Sequence, residues 1–378
     1  MSGDPANSGV RATLSALAAD LVKLRGSPAP DPQPVPAAAA PSALVWDSAD
    51  DTRWAADDAR FARVLHVFHQ EWHGIRAAAS YAPGHKLAIP NERPLHPEEH
   101  AELLQGLASR QIAAVIVHGY SLAADALVTN LRAAAPLPIF AVWHGNTAQL
   151  HSDYEVEIFA LLLSRRAGGA LDGLACVKAD LHLVSGSAFP KTLLNLPPHG
   201  PDLSPPAPRA AASGIAFLPV PNDWRKNFYS NLLAARLVPR IREVVVTTGF
   251  RPLPGPALPR IRRLRRPDRE QVFRVMRGAD LILNATLSEC QPMTALEGLA
   301  LGTPCLTGPL SLGALDRHPY QRLAQVAGVD SLREVRDAIE RILDARERPG
   351  GELQAMMLDY SSALTQEALQ RYGEFLRL

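Results

Sequence analysis

Short apolar runs of strand length alternate with longer segments of helical period, and the alternation starts twice along the chain. No other feature constrains the fold as much. Strands separated by helices cannot pair as hairpins, so the connections must be crossovers that build a parallel sheet with helices on both faces. In the first series Val64 to Phe68, Ile112 to Val117, Pro138 to Trp143 and Leu174 to Val177 read as strands, with helices over 122–134 and 154–166. The second series reads as strands over 214–220, 243–248, 280–284 and 305–307, separated by helices over 227–237, 269–278 and 293–301. Helical period then continues over 332–345 and 352–375.

The 378 residues exceed what one hydrophobic core usually serves. Proline, alanine and glycine dominate Pro197 to Ala212, which reads as a linker between two doubly wound α/β domains. The expected organisation is an N-terminal helix and tether over 1–43, a first domain over 44–200, a linker over 201–212, and a second domain over 213–350. A C-terminal helix over 351–378 is expected to pack back toward the first domain. Within the N-terminal segment Leu14, Leu17, Leu21 and Leu24 form one helical stripe, suited to docking on the same chain or to dimerisation. Residues Ser27 to Ser42 alternate proline with alanine and read as a semi-rigid tether.

Composition excludes several classes. With 47% hydrophobic and 20% charged residues the chain is an ordinary folded protein, and a formal net charge of +1 provides no field for a polyanion, so no nucleic-acid partner is expected. Cys176, Cys290 and Cys305 have neither an even count nor a short paired spacing, which points to a reducing compartment rather than a disulfide framework or a zinc site. No run approaches the roughly 20 apolar residues of a membrane span, and no basic start precedes an apolar core, so the cytoplasm is the expected location. The arginines between Arg260 and Arg269 carry no interleaved aromatic residue. They read first as a solvated edge and second as a peripheral contact with anionic lipid at the inner face of the membrane.

The segment richest in chemistry runs from Asp280 through the strand, the loop Ala285 to Glu289, then Cys290, Gln291, Pro292, Met293 and Thr294, to Glu297 and finally Gly302-Thr303-Pro304. Pro292 fits a first helical turn and Gly302 a helix end. The helix N-terminus would offer its amides and dipole to a diphosphate. Glu289 and Glu297 bracket that terminus as acceptors for hydroxyl groups. A carboxylate near bound phosphate calls for intervening hydroxyls, which suggests a nucleotide sugar.

This run resembles retaining glycosyltransferases of the GT-B fold, especially family 4, whose signature is two glutamates separated by seven residues. The resemblance implies two Rossmann-like domains facing a cleft, with an acceptor site in the first and the nucleotide-sugar site in the second. It further implies that Glu289 meets the transferred sugar, Glu297 the ribose, and the amides between them the phosphates. The family carries a Lys where this chain has Asp223-Trp224-Arg225-Lys226-Asn227. Lys226, with Arg225 second, would neutralise the leaving phosphate, so that no metal or other cofactor is implied. An Arg usual several residues earlier is replaced by Leu218, Val220 and Pro221.

In the first domain two strands end at His118-Gly119 and His144-Gly145, similar to the family's strand, helix, strand, His layout. By that resemblance His144 is the active-site histidine and His118 its neighbour. An imidazole there can bind a sugar hydroxyl or orient the acceptor. The loop His69-Gln70-Glu71-Trp72-His73-Gly74 occupies the place of the family's glycine-rich turn, matched only at Gly74. A metal reading of His69 and His73 is disfavoured because Gln70 stands where zinc peptidases have Glu. The expected activity is transfer of a hexose from a nucleotide-diphosphate sugar to a hydroxyl of a glycan, a lipid-linked glycan or a protein, with retention, as in polysaccharide biosynthesis. The alternatives are a non-catalytic sugar-nucleotide or glycan-binding protein and a nucleotide-sugar epimerase. A glycosidase fits poorly, because its two carboxylates must lie on opposite sides of the scissile bond.

Overall fold

The computed structural model describes residues 44–179, 181, 191–200, 203, 212–251 and 259–378. The expected N-terminal helix and tether, and most of the expected linker, lie outside the described residues. The chain divides into two compact units. The first runs to Leu193 and takes in Gln370–Leu378, and the second is Leu194–Leu369.

The first unit is built on a seven-stranded sheet: β1 (Val45–Trp46), β2 (Val64–His69), β3 (His85–Ile89), β4 (Ala114–His118), β5 (Ile139–Trp143), β6 (Gly173–Cys176) and β7 (Lys191–Thr192). Their spatial order is β1-β3-β2-β4-β5-β6-β7, all parallel except β1, which pairs antiparallel with β3. The uninterrupted apolar runs have the reason expected: every residue of β2, β4 and β5 is buried. Helices α1 (Ala49–Thr52), α2 (His73–Tyr81), α3 (Pro97–Ser109), α4 (Leu122–Ala134) and α5 (Asp153–Ala167) complete the unit. Leu65, Val67, Val117, Leu127, Leu131 and Leu162 share its core, and each such side chain contributes about 1.5–3 kcal/mol on burial.

Part of this layout differs from the sequence reading. The stretch after β2, read as a loop, coils into α2 after three residues, and Gly74 sits in that helix's first turn. A Cβ at Gly74 would meet nothing within 4 Å, so no turn or close approach demands glycine there. Strand β3 was also missed. It contains Lys86, 1% exposed, whose ammonium donates to the carbonyls of Ala82 at 2.6 Å and Gly84 at 2.9 Å. A lysine inside a strand hides the apolar signal.

The second unit holds a five-stranded sheet of β8 (Ile215–Leu218), β9 (Glu243–Val246), β10 (Arg260–Arg263), β11 (Leu281–Asn284) and β12 (Cys305–Thr307), all parallel in the order β10-β9-β8-β11-β12. Its helices are α6 (Phe228–Arg236), α7 (Arg269–Gly278), α8 (Met293–Ala300), α9 (Pro319–Ala324) and α10 (Leu332–Glu347). A long α11 (Glu352–Leu376) follows. The arginine run supplies the edge strand β10, where Arg262 donates to Glu243 at 2.6 Å and Arg260 is 76% exposed. Charged side chains on an edge strand block pairing with a further strand. Among the described residues no helix is long and apolar enough to cross a membrane.

Asp280, fully buried just before β11, ties the start of β8 to β11. Its carboxylate accepts from the amides of Ser213 at 2.9 Å, Gly214 at 2.6 Å and Ile215 at 3.2 Å, and pairs with Arg346 at 3.3 Å.

Candidate functional site

Open parallel sheets bind ligands beyond the carboxyl ends of their strands, where the strand order reverses. Each unit has one such place. In the second sheet the chain moves outward from β8 to β9 and β10, then returns to lay β11 on the other side of β8. The reversal therefore lies between the carboxyl ends of β8 and β11, and these feed the segments that carry Lys226 and Glu289.

These segments are stapled together. The backbone N–H of Leu287 donates to the carbonyl of Arg225 at 2.9 Å, and the Arg225 guanidinium donates to the carbonyl of Ser288 at 3.1 Å. Asn227 stands in the left-handed conformation with φ +53°, and its side-chain amide donates to the carbonyls of Ala285 at 3.1 Å and Val329 at 2.5 Å. Asn231, fully buried, exchanges hydrogen bonds with the backbone of Ala285 in both directions, at 3.0 and 2.9 Å. Held this way, Lys226 forms an ion pair with Glu289, whose other oxygen accepts from the Cys290 amide at 3.2 Å. The pair is largely shielded, with side chains 18% and 13% exposed.

Helix α8 begins immediately after this pair. Pro292 is its N-cap rather than a residue of its first turn, with ψ 125°. Its carbonyl accepts from the amides of Ala295 and Leu296. The far end closes as the Gly302 signal predicts. Gly302 has φ +73°, its N–H donates to Leu299 at 3.2 Å, and the Thr303 N–H donates to Gly298 at 2.8 Å. This is a Schellman motif. Glu297 lies half-buried on α8. Met293 and Thr294 are half-buried in its first turn. Gln291 is buried and its side-chain oxygen accepts from the Asn195 amide at 2.5 Å, so that oxygen is committed to the protein. Cys290 is buried as well. Trp224, beside Lys226, is 60% exposed.

In the first sheet the reversal lies between β2 and β4, and here the residues brought together are histidines. Register explains it. His66 on β2 is paired with Ile116 on β4, so His118, two residues on, projects from the same face; His118 in turn is paired with Val142 on β5, and His144 follows two residues later. The three rings therefore step diagonally across one face of the sheet. Ring centroids are 5.1 Å apart for His66 and His118 and 5.3 Å for His118 and His144, close to the spacing of neighbouring strands. His66 Nδ1 lies 2.8 Å from His118 Nε2, and His118 Nδ1 lies 3.1 Å from His144 Nε2. The inner end of the chain is His66 Nε2, 2.9 Å from the carbonyl of Pro83.

His66 and His118 are fully buried. Burial holds both well below the usual imidazole range, with the charge of nearby Lys86 adding to it for His66 and that of His66 for His118. Burial likewise brings His144 down to about 4 and Lys86 down to about 7. The sequence reading missed His66, because strand register between distant segments is not visible in the sequence. His69 is occupied structurally: its Nε2 meets Ser121 Oγ at 2.9 Å, and Ser121 caps α4 by accepting from the Ala124 amide at 3.0 Å. Gly119 has φ +70°, and a Cβ there would come within 2.8 Å of Ile75 and Trp72, so glycine is required beside His118.

No protein-family model matches the sequence, and no curated protein matches it. Solved structures do resemble it. Sucrose-phosphate synthase (tll1590) from Thermosynechococcus elongatus aligns over 83% of this chain and 98% of its own at 14% identity, with a TM-score of 0.54. HepE (Alr3699) from Anabaena, solved in complex with UDP-glucose, aligns over 83% and 100% at 12% identity, with a TM-score of 0.53. A UDP-forming α,α-trehalose-phosphate synthase from Burkholderia xenovorans, in complex with glucose-6-phosphate, aligns over 83% and 99% at 13% identity, with a TM-score of 0.51. The fold of this chain is GT-B, with two Rossmann-like units on parallel sheets.

Proposed function

We propose that the protein is a retaining glycosyltransferase that moves a sugar from a nucleotide-diphosphate donor to an acceptor hydroxyl. The observation that carries this reading is the Lys226 and Glu289 pair, set at the strand-order reversal of the second unit and one step ahead of the α8 N-terminus. Cation, carboxylate and helix amides are three groups that a sugar diphosphate needs. In this reading Lys226, with Arg225 beside it, and the backbone N–H groups of Gln291, Met293 and Thr294 stabilise the departing diphosphate. Glu289 holds the sugar and Glu297 the ribose. His144, backed by His118, meets a sugar or acceptor hydroxyl in the first unit, and Gly74 lies on the acceptor side. Because Lys226 supplies the cationic charge, the reaction calls for no metal.

The fold is shared with HepE and with trehalose- and sucrose-phosphate synthases, and HepE was solved with UDP-glucose. A UDP-sugar is therefore the first donor to test. Acceptors of the glycan, lipid-linked and protein classes follow. The experiment is release of nucleoside diphosphate from UDP-, GDP-, TDP- and ADP-sugars, with and without acceptor. Lys226→Ala is expected to lower kcat about 10²–10³-fold, the usual effect of removing one group that stabilises a developing charge. Glu297→Ala is expected to raise the donor KM. Donor binding without turnover for every pair tried would replace the enzyme reading with that of a sugar-nucleotide-binding protein. Absence of any nucleotide binding would end both.

A further inference from the structure

Gln291 stands between Glu289 and α8, and the orientation of its side-chain amide is fixed. The backbone N–H of Asn195 can only donate, so the atom 2.5 Å from it is the oxygen, Oε1. The Asn195 side-chain amide donates in turn to the Gln291 carbonyl at 3.3 Å, which closes a two-point clasp. Nε2 is therefore the end that does not face the Asn195 N–H. Among the described residues it has no hydrogen-bond partner, although Gln291 is only 5% exposed. Thr307, at the carboxyl end of β12 and 3% exposed, has a hydroxyl in the same condition.

Gln291 and Thr307 line one cavity, walled on one side by Ala295, Leu296 and Leu299 of α8 and elsewhere by Leu310 and Leu312. A cavity with apolar walls alone stays dry, whereas buried amide and hydroxyl groups without partners are costly and draw water in. The space open to the centre of a water molecule is about 20 Å³, against the roughly 10–15 Å³ that one water needs. It holds nothing larger. Register brings a further polar group to this end of the sheet: Asn284 on β11 is paired with Thr307, on the same face, and its Nδ2 is also without a partner. We propose that the cavity is a water site, in which one water accepts a hydrogen from Gln291 Nε2, donates one to Thr307 Oγ1, and so ties the loop ahead of α8 to β12.

The proposal rests on the reading of the Gln291, Met293 and Thr294 N–H groups as partners of the diphosphate, and it deepens that reading. Gln291 is held at its side-chain oxygen and its carbonyl by Asn195, and at its side-chain nitrogen by the water. Its backbone N–H is thereby oriented before the donor arrives. Thr307 acts on the donor only through the water and Gln291, as a positioning residue. The N–H groups meet the diphosphate before as well as after the sugar leaves, so disturbing them raises the donor KM more than it lowers kcat.

The test begins with a crystal structure of the full wild-type chain at a resolution that shows ordered water, and this step requires no variant to fold. One density peak is expected in the cavity, about 2.7–3.2 Å from both Gln291 Nε2 and Thr307 Oγ1. An empty cavity, a direct bond between the two side chains, or a bromide ion seated there after a soak overturns the proposal. Thr307→Val then keeps the shape of the side chain and removes its hydroxyl. The dissociation constant of the tightest binder among UDP, GDP, TDP and ADP, read by calorimetry, and the donor KM are expected to rise about 2- to 10-fold, the net worth of one hydrogen bond. Thr307→Ser, which keeps the hydroxyl, is expected to match wild type. Unchanged binding in Thr307→Val, or an equal loss in Thr307→Ser, overturns the positioning role. If the water is present while none of the four diphosphates binds, the water site stands and the transferase reading fails.

Discussion

Acidification should destabilise the first unit through its buried histidines, and the size of the effect follows from their burial. His144 is held down to about 4 against an ordinary value of 6.5. The sign is set by linkage: as pH falls below 6.5 the unfolded chain takes up a proton that the folded one refuses. Stability is therefore intact above about pH 6.5 and is lost as pH falls toward 4. The shift corresponds to about 3 kcal/mol in full, of which about 2 kcal/mol is gone at pH 5. His66 and His118 are shifted in the same direction and by burial. The three therefore act in the same direction, and the loss through His144 alone is already a large fraction of the stability of a marginal domain.

Two other sets of groups act mainly outside this window. Lys86, brought down to about 7, differs from its unfolded form only above about that pH and so adds to the loss only in the first step below pH 7.5. The lowered carboxylates Asp47, Asp51, Asp58 and Glu99 act below about pH 5. The assay is urea unfolding followed by tryptophan emission. Four of the five tryptophans, Trp46, Trp54, Trp72 and Trp143, belong to the first unit. His66→Phe should make the acid-induced loss smaller, while the contribution of buried His69 is common to both proteins. A wild-type stability that stays flat from pH 7.5 to 5, or a loss that His66→Phe leaves unchanged, refutes the reasoning.

Three further outcomes are expected. Gly302→Ala should destabilise the second unit by about 1–2 kcal/mol, read as a lower urea midpoint, because an L-residue must then hold φ +73°. Asp280→Ala strips three backbone amides and Arg346 of their buried acceptor, and should cost about 3–5 kcal/mol in the same measurement, with no new cleavage expected in the first unit on limited proteolysis. Glu289→Gln removes the carboxylate that competes for Lys226. It should bind a free nucleoside diphosphate about two- to fivefold tighter by calorimetry even as transfer falls, and weaker binding would contradict the assigned roles.

Much of the fold was legible because helix ends carry local chemistry. Helix α4 begins after Ser121, whose hydroxyl accepts from the Ala124 amide. Helix α7 begins after Asp268, which forms a capping box with Gln271. Both helices run over the residues expected from the sequence. Strands are legible where burial leaves an uninterrupted apolar run, as at the edge strand β12. Strand β10 consists mostly of arginines because it lies at an edge with Glu243 to pair them, and β3 conceals a lysine whose charge is met by carbonyls. The Lys226, Glu289 and α8 cluster was legible as a motif because loop and helix are contiguous. The histidine chain was not, since its members lie 52 and 26 positions apart and meet only through register.

Helix α11 starts in the second unit and finishes in the first. There Tyr372 covers His66, the Phe375 ring meets Phe140 edge-on at 5.1 Å, and the Arg371 guanidinium reaches the carbonyl of Thr192 at 3.0 Å. The unit whose strands leave the ribosome first is thus completed last. Until the codons near position 375 have been read, the nascent sheet lacks part of its cover over His66 and Phe140, and a chaperone or protease would meet that face during synthesis.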